Sequence, residues 1–156
     1  MRKTIRLVFC LFLLSFSIGG RVGAQDRILS HREQNGLQRA WIEKRFNTVL
    51  PELMRREGID MWLIVSREYN DDPVFRSMVP PTTYSSRRRT ILVFFDQGPK
   101  LGIERLSVGR FDYDGLFTVV KTHNDAQWEG LRKLVQQRDP KVIGINTSEL
   151  FSHADG

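Results

Sequence analysis

Cysteine is almost missing from this chain, because only Cys10 occurs among its 156 residues. Cys10 lies inside an apolar run and lacks the small neighbours that a lipidated cysteine needs at a cleavage site. We therefore expect it to be removed with the amino-terminal segment. The remaining chain then has no cysteine, so no disulfide holds its fold together. Export to an oxidising compartment is compatible with this composition.

Histidine is also scarce, and the three that occur, His31, His123 and His153, stand far apart. None belongs to an H-E-x-x-H pattern or a similar metal-binding spacing. Asp112 and Asp114 offer two carboxylates, but two acids at this spacing before a glycine are typical of a solvated turn. The sequence therefore predicts no metal site in this chain.

Two common catalytic motifs are absent as well. The sequence has no G-x-S-x-G elbow, which a serine hydrolase uses to present its nucleophile. It also has no glycine-rich loop that leads into a helix and cradles a nucleotide phosphate. These absences argue against the most easily recognised classes of enzyme.

Residues 1–24 have the layout of a secretory signal peptide. Basic side chains precede an apolar run over residues 7–18, and Val22 and Ala24 have the spacing that a signal peptidase accepts. A membrane anchor is the alternative, but twelve helical residues reach only about 18 Å across a hydrocarbon core of roughly 30 Å. We expect cleavage after Ala24, a secreted or periplasmic protein, and no stable membrane anchor.

The positive charge of the chain belongs mostly to that amino-terminal segment. The sequence has 24 Lys and Arg against 18 Asp and Glu, a net charge of +6, but four of the basic residues lie within residues 1–24. Twenty remain against 18 acids, so residues 25–156 have a net charge of +2. This near-balance argues against a nucleic-acid partner. The 132 residues of this segment are enough for one domain with its own core.

A helix is predicted after the capping box that runs from Ser30 to Glu33. Pro51 interrupts the helical pattern, so the helix is either kinked there or restarts with Pro51 in its first turn. The expected apolar stripe comprises Leu37, Trp41, Phe46, Val49, Leu50, Leu53 and Met54.

Short apolar runs predict strands over residues 61–66, 90–96, 104–109, 116–121 and 141–146. The first is expected to be covered on both faces, and the third and fourth are expected to be neighbours. A second helix should follow Asn124 or Asp125 and bury Trp128, Leu131, Leu134 and Val135. The order of elements indicates an α/β fold, a mixed β-sheet of about five or six strands flanked by helices.

A polar, acidic turn follows the first predicted strand and contains Tyr69, Asn70, Asp71 and Asp72, directly before Pro73. Its composition and its place at the end of a buried strand suggest a surface that shapes substrate access or contacts a partner. We regard these four residues as candidate access or interface residues.

The stretch 85–89, Ser-Ser-Arg-Arg-Arg, is the most basic part of residues 25–156. It is either a solvated start of the second strand or a functional patch. In the second interpretation Arg87 or Arg88 pairs with acids such as Asp71 and Asp72, or binds an anionic group of a substrate or partner. A site for single-stranded nucleic acid would also need interleaved aromatic residues, and only Tyr84 is close.

The order of four segments resembles the amino-terminal domain of the creatinase, prolidase and aminopeptidase P superfamily. These segments are LMRREGID (53–60), MWLIVS (61–66), YNDDPVF (69–75) and SSRRRTILVFFD (85–96). The later IGIN (143–146) and ADG (154–156) fit the same pattern. The resemblance covers roughly residues 35–156.

The resemblance implies a noncatalytic domain. In that superfamily a mixed α/β domain precedes a pita-bread catalytic domain, which holds two divalent metal ions on two Asp, one His and two Glu and often hydrolyses bonds next to proline. All of these ligands would follow Gly156, so the resemblance implies no catalytic residue, metal ligand or cofactor in this chain. The implied partners are the C-terminal catalytic domain, a second copy in a homo-oligomer and a peptide substrate of the parent enzyme.

Two alternatives remain open beside this reading. The parent enzyme has either peptidase activity or the metal-free hydrolytic activity of creatinase. In a different class, the chain is a stand-alone exported α/β module that binds a small ligand or a protein through residues 69–73 and 78–89. Because residues 151–156 follow a strand-like run without a closing helix, we expect a domain over residues 25–156 that is truncated before its catalytic half.

Overall fold

The computed structural model describes residues 28–69 and 71–147, with only the backbone of Asn124. The predicted signal peptide, Asn70, His153 and the 154–156 segment lie outside the described residues. In chain order the elements are α1 (His31–Asn47), α2 (Val49–Arg56), β1 (Met61–Arg67), α3 (Pro73–Met78), β2 (Arg89–Asp96), β3 (Ile103–Gly109), β4 (Thr118–Lys121), a 3-10 helix (Asn124–Ala126), α4 (Gln127–Arg138) and β5 (Ile143–Ile145). No helix among these residues combines the length and apolar content needed to cross a bilayer.

The five strands form one mixed sheet in the order β4-β3-β2-β1-β5. β2 is antiparallel to both β1 and β3, whereas β4 is parallel to β3 and β5 is parallel to β1. The predicted α/β class and mixed sheet are confirmed, as is the expected contact between the third and fourth strands. β4 is shorter than predicted, because the amides of Leu116 and Phe117 donate to the carbonyls of Tyr113 and Asp112 in a turn before it.

The helix restarts before Pro51, as one of the two sequence interpretations predicted. α1 ends at Asn47 and α2 begins at Val49, which makes Pro51 the third residue of α2. An amide in the first turn of a helix has no partner within the helix, so proline costs little there.

The apolar stripe of these two helices differs in part from the predicted one, because the neighbouring residue is buried at some positions. Ile42, Phe46, Leu50 and Met54 are buried at regular spacings of four, whereas Leu37, Trp41 and Val49 are exposed. Residues 31–41 contribute no buried side chain, so the apolar residues of that half face solvent.

Two cores cover the two faces of the sheet. On one face α1, α2 and α3 pack over an aromatic cluster that includes Phe46, Phe94 and Phe117. On the other face Leu131 and Leu134 of α4 pack against β2 and β3. Met61, Ile64 and Ser66 of β1 are buried, but Leu63 and Val65 are only half-buried, so β1 is not fully covered on both faces as expected.

Candidate functional site

The carboxyl ends of β1, β3 and β4 and the amino end of β2 lie at one edge of the sheet. In open α/β sheets, ligands bind in the crevice outside the carboxyl ends of strands. The basic residues that meet at or beside this edge are Arg67, Arg87, Arg88, Arg89, Arg110 and Lys121. Cationic side chains therefore gather at the end of the sheet where β1, β3 and β4 have their carboxyl ends.

A cavity of about 200 Å³ opens at this edge, and we call it the arginine cavity. Four arginines line it: Arg87, Arg88, Arg89 and Arg110. Its uncharged polar lining is Thr90, Ser107, Tyr113 and Gln127. Among the described residues, no Asp or Glu lines it. The cavity therefore combines a concentrated positive charge with several uncharged polar groups.

Buried polar side chains form the base of the cavity. The hydroxyls of Thr90 and Tyr113 share a hydrogen bond of 3.2 Å. Burial raises the pKa of the Tyr113 phenol, so it stays neutral near pH 7 and retains its proton. Ser107 is only 3% exposed, and within the described residues its hydroxyl has no hydrogen-bond partner. Ser107 therefore offers an uncommitted hydroxyl to the cavity.

Gln127, the first residue of α4, holds the two strands that frame the cavity. Its Nε2 donates to the carbonyl of Arg89 at 3.1 Å and to the carbonyl of Val108 at 2.9 Å. Gly109 permits this approach, since a Cβ there would lie 3.3 Å from Nε2. The side chain of Gln127 therefore fixes the start of β2 relative to the end of β3.

Two of the arginines lie over aromatic rings. The Arg89 guanidinium lies 4.8 Å from the centre of the Trp128 ring, and that of Arg110 lies 5.8 Å from the centre of the Phe111 ring. Trp128 was predicted to be a core residue of α4, but it is 40% exposed and supports Arg89 instead. Stacking restricts a guanidinium without occupying its hydrogen-bond donors.

The structure separates Arg87 and Arg88 from the acids with which the sequence suggested they pair. The carboxylate of Asp71 accepts hydrogen bonds from the amide of Ser86 at 2.9 Å and from its hydroxyl at 2.6 Å. Within the described residues, neither Arg87 nor Arg88 forms an ion pair with Asp71 or Asp72. Asp71 instead fixes the segment directly before the three arginines.

Asp72 is a structural residue of the same turn. Asp72 is only 2% exposed. One carboxylate oxygen caps α3 by accepting from the amide of Val74 at 2.7 Å, and the other accepts from the side-chain amide of Asn146 at 2.8 Å. Asn146 in turn accepts from the indole of Trp62 at 2.8 Å. These bonds join the turn to the ends of β1 and β5 and occupy both carboxylate oxygens.

Tyr69 projects from the turn and is 98% exposed, in a left-handed conformation with φ of 69°. It lies in a depression beside the arginine cavity, together with Glu68, Arg88 and Asp125. Of the candidate residues with described side chains, Arg87 and Arg88 line the arginine cavity, Asp71 and Asp72 support the turn, and Tyr69 faces solvent.

Metal-binding side chains do not converge in the part of the chain that the structure describes. No group of three or more His, Asp or Glu residues there has the arrangement of a metal site. Asp114 accepts a hydrogen bond from Thr82 at 3.2 Å, and the carbonyl of Asp112 accepts from the amide of Phe117 at 3.0 Å. Both acids thus belong to a hydrogen-bonded connection between β3 and β4.

The sequence interpretation missed Arg89, Arg110, Ser107 and Gln127 as parts of one site. Arg89 starts β2, and Arg110 directly follows β3. An antiparallel pair brings the start of one strand to the end of its partner, so these positions were recoverable once the pairing was known. Comparisons with protein families, with curated proteins and with solved structures find no match.

Proposed function

We propose that the chain is the noncatalytic amino-terminal domain of an exported metallopeptidase that resembles Xaa-Pro aminopeptidase or prolidase. In this role it contributes to oligomer contacts and to substrate access. The five-stranded mixed sheet with helices on both faces supports the proposal, because it has the architecture that the resemblance implies. Export rests on the predicted signal peptide over residues 1–24. Two divalent metal ions would belong to the catalytic domain and would use no residue of this chain.

One observation carries the proposal: within the described residues, an apolar strip of the sheet beside α4 is left uncovered. Ile143 and Ile145 of β5 are 41% and 54% exposed. They pair in register with Met61 and Leu63 of β1, so they lie on the α4 face, on the same side as the half-buried Val65. An exposed apolar sheet face is typical of a surface that another part of a protein covers. We assign it to chain that follows residue 147 and leads into the catalytic domain.

A stand-alone binding module is the second candidate, and the arginine cavity favours it. A cavity that is lined by polar side chains at this end of the sheet can bind a ligand without a second domain. The two candidates differ in whether a stable product ends near Gly156.

The deciding experiment measures the intact mass of the native protein, recovered from its source with an antibody against residues 25–156. The proposal expects a species several hundred residues longer, which hydrolyses a peptide bond next to proline and loses this activity with a chelator. A native species of 132 residues would overturn it and favour the binding module. A long species whose hydrolysis of proline peptides survives chelation would also contradict the metallopeptidase assignment.

A further inference from the structure

We propose that the arginine cavity binds a phosphate-class oxyanion, either inorganic phosphate or the phosphate group of a small monoester. This inference goes beyond the proposed function and does not depend on it. It rests on the charge of the cavity lining, on the hydroxyls that buried residues present to it, and on the contacts that fix the backbone around it.

The charge at the cavity exceeds what a single carboxylate would need. One guanidinium already satisfies a carboxylate through two parallel hydrogen bonds. Here Arg87, Arg88 and Arg110 meet around one cavity, and within the described residues none of the three forms an ion pair. A tetrahedral oxyanion with two negative charges and several acceptor oxygens matches this concentration of donors better.

The nearby acids lie in neighbouring depressions and not in the cavity lining. Glu68 and Asp125 line the depression next to Arg88, and Asp112 and Asp114 line the one next to Arg87. One oxygen of Glu68 accepts from the backbone amide of Arg88 at 3.3 Å. These acids limit the positive field to the cavity itself, so the site should favour a compact anion over an extended polyanion.

The base of the cavity supplies neutral donors beneath the charged rim. Ser107 is a buried residue whose hydroxyl is uncommitted, and the Thr90 and Tyr113 hydroxyls share one hydrogen bond. In that bond one hydroxyl donates and the other accepts, so the accepting hydroxyl can donate its own proton to a further acceptor. Desolvated donors at fixed positions bind an anion more strongly than solvated ones do, because less water must be reorganised.

The contacts around the cavity hold its lining in place before any ligand arrives. Gln127 fixes the start of β2, Asp71 fixes Ser86, and the Trp128 ring supports Arg89. The volume of about 200 Å³ corresponds to several water molecules at roughly 30 Å³ each, which is enough for one phosphate and bound water. The exposed ring of Phe111 at the rim is placed to contact the organic group of a monoester.

The experiment titrates the purified full chain with sodium phosphate, phenyl phosphate and sodium acetate by calorimetry, at neutral pH and constant ionic strength. We expect saturable binding of one phosphate and much weaker binding of acetate. Arg88→Gln and Arg110→Gln should each weaken phosphate binding about tenfold, as expected for loss of a charge-assisted contact at a partly solvated site. Ser107→Ala, which removes one neutral donor, should weaken it about threefold.

Arg56→Gln is the matched control, since Arg56 is an exposed arginine of α2 beside Glu57, near the opposite end of β1. It removes the same charge and should leave phosphate binding unchanged. Equal losses in Arg56→Gln and Arg88→Gln would overturn the proposal, because they would indicate attraction to net charge alone. Equal affinity for acetate and phosphate, or no saturable binding of phosphate, would overturn it as well.

A measurement on the unmodified chain tests the site even if a variant fails to fold. Amide chemical shifts should change on phosphate addition at residues 87–90 and 107–110, and shifts spread evenly over the surface would contradict the site. Tighter binding of phenyl phosphate than of inorganic phosphate, lost in Phe111→Ala, would identify a monoester as the ligand form. Equal binding of the two would identify free phosphate. Neither result depends on peptidase activity, so failure of the proposed function leaves this test intact.

Discussion

Gly130 of α4 packs against Thr122 more closely than a side chain at that position would allow. A Cβ at position 130 would lie 2.5 Å from Cγ2 of Thr122 and 3.4 Å from Cγ1 of Val108. Thr122 is β-branched, so its rotation is restricted and its methyl group cannot easily move away. The absence of a side chain at position 130 is therefore what lets α4 approach the end of β4.

Gly130→Ala should consequently lower the melting temperature, by an amount equivalent to about 1 kcal/mol or more of overpacking. The change would ordinarily stabilise a helix interior by about 0.5–1 kcal/mol. In a Thr122→Ala background the methyl group is gone, and the same substitution should raise the melting temperature. Thermal denaturation of the four chains of this double-mutant cycle tests both signs. A rise in both backgrounds would refute the close contact.

Single-residue roles were harder to predict from sequence than elements, because they depend on contacts through space. Arg87 and Arg88 were identified from their local charge alone, which a sequence displays directly. Ser107 carries no such signal, since a serine within an apolar strand also suits a plain packing role. Its importance depends on the register that brings Ser107 opposite Leu92, beside Thr90, and on the approach of Tyr113.

At the scale of elements, local signals fixed helix starts and strand positions well. Pro51 predicted either a kink or a restart, and the structure has the restart; continuous apolar runs located β1, β2 and β3 to within a residue or two. The short helix α3 was missed, although Asp72 and Pro73 supply a capping residue and a proline at the first helical position. Six residues are too few for a visible helical periodicity, so the capping signal alone had to carry that prediction.

One ion pair connects α2 to the end of β2. Arg55 donates through Nε and one terminal nitrogen to the two oxygens of Asp96, at 2.7 and 2.9 Å. The hydrogen bond from Arg55 is the main cause that lowers the pKa of Asp96 below its usual value of 3.8, and the amide of Gly98 contributes further. Asp96 thereby links a helix, a strand end and the following turn.

This arrangement predicts a pH-dependent stability. The pKa of Asp96 is lower in the folded state than in the unfolded state. Its carboxylate therefore adds to the free energy of unfolding above the unfolded-state pKa, and this contribution is lost as the pH falls through the folded-state pKa. Asp96→Asn should therefore melt below the parent chain at pH 7, and the difference should shrink as the pH falls below about 4. Melting curves across this range provide the measurement. A difference that stays constant down to the lowest pH would exclude the charge as its source.

At the scale of the whole molecule, the described sheet ends in a strand of three residues. β5 has one strand neighbour among the described residues, and its two isoleucines remain exposed beside the half-covered part of β1. An exposed apolar strand edge is prone to pair with another chain. Sequence patterns predicted this strand but not its exposure, because exposure depends on which elements fail to cover it.

The isolated chain should therefore self-associate through this edge. Ile145→Lys introduces a charge there and should lower the average mass measured by sedimentation at high protein concentration. It should leave the melting temperature nearly unchanged, since Ile145 is more than half exposed. Leu101→Lys is the control, because Leu101 is also exposed but lies in the turn between β2 and β3. Equal effects of the two substitutions would show that association uses no particular edge.

The position of β5 in the sequence also determines how late it can pair with β1 during synthesis of the chain. The bonds that secure it, from the amides of Lys141 and Val142 to Asp60 and from Trp62 to Asn146, span 81 to 84 positions of the chain. At roughly 5–20 residues per second, translation needs about 4–17 s to deliver the second partner after the first. Throughout that interval β5 cannot yet pair with β1, so this side of β1 stays available to a chaperone that holds nascent chains.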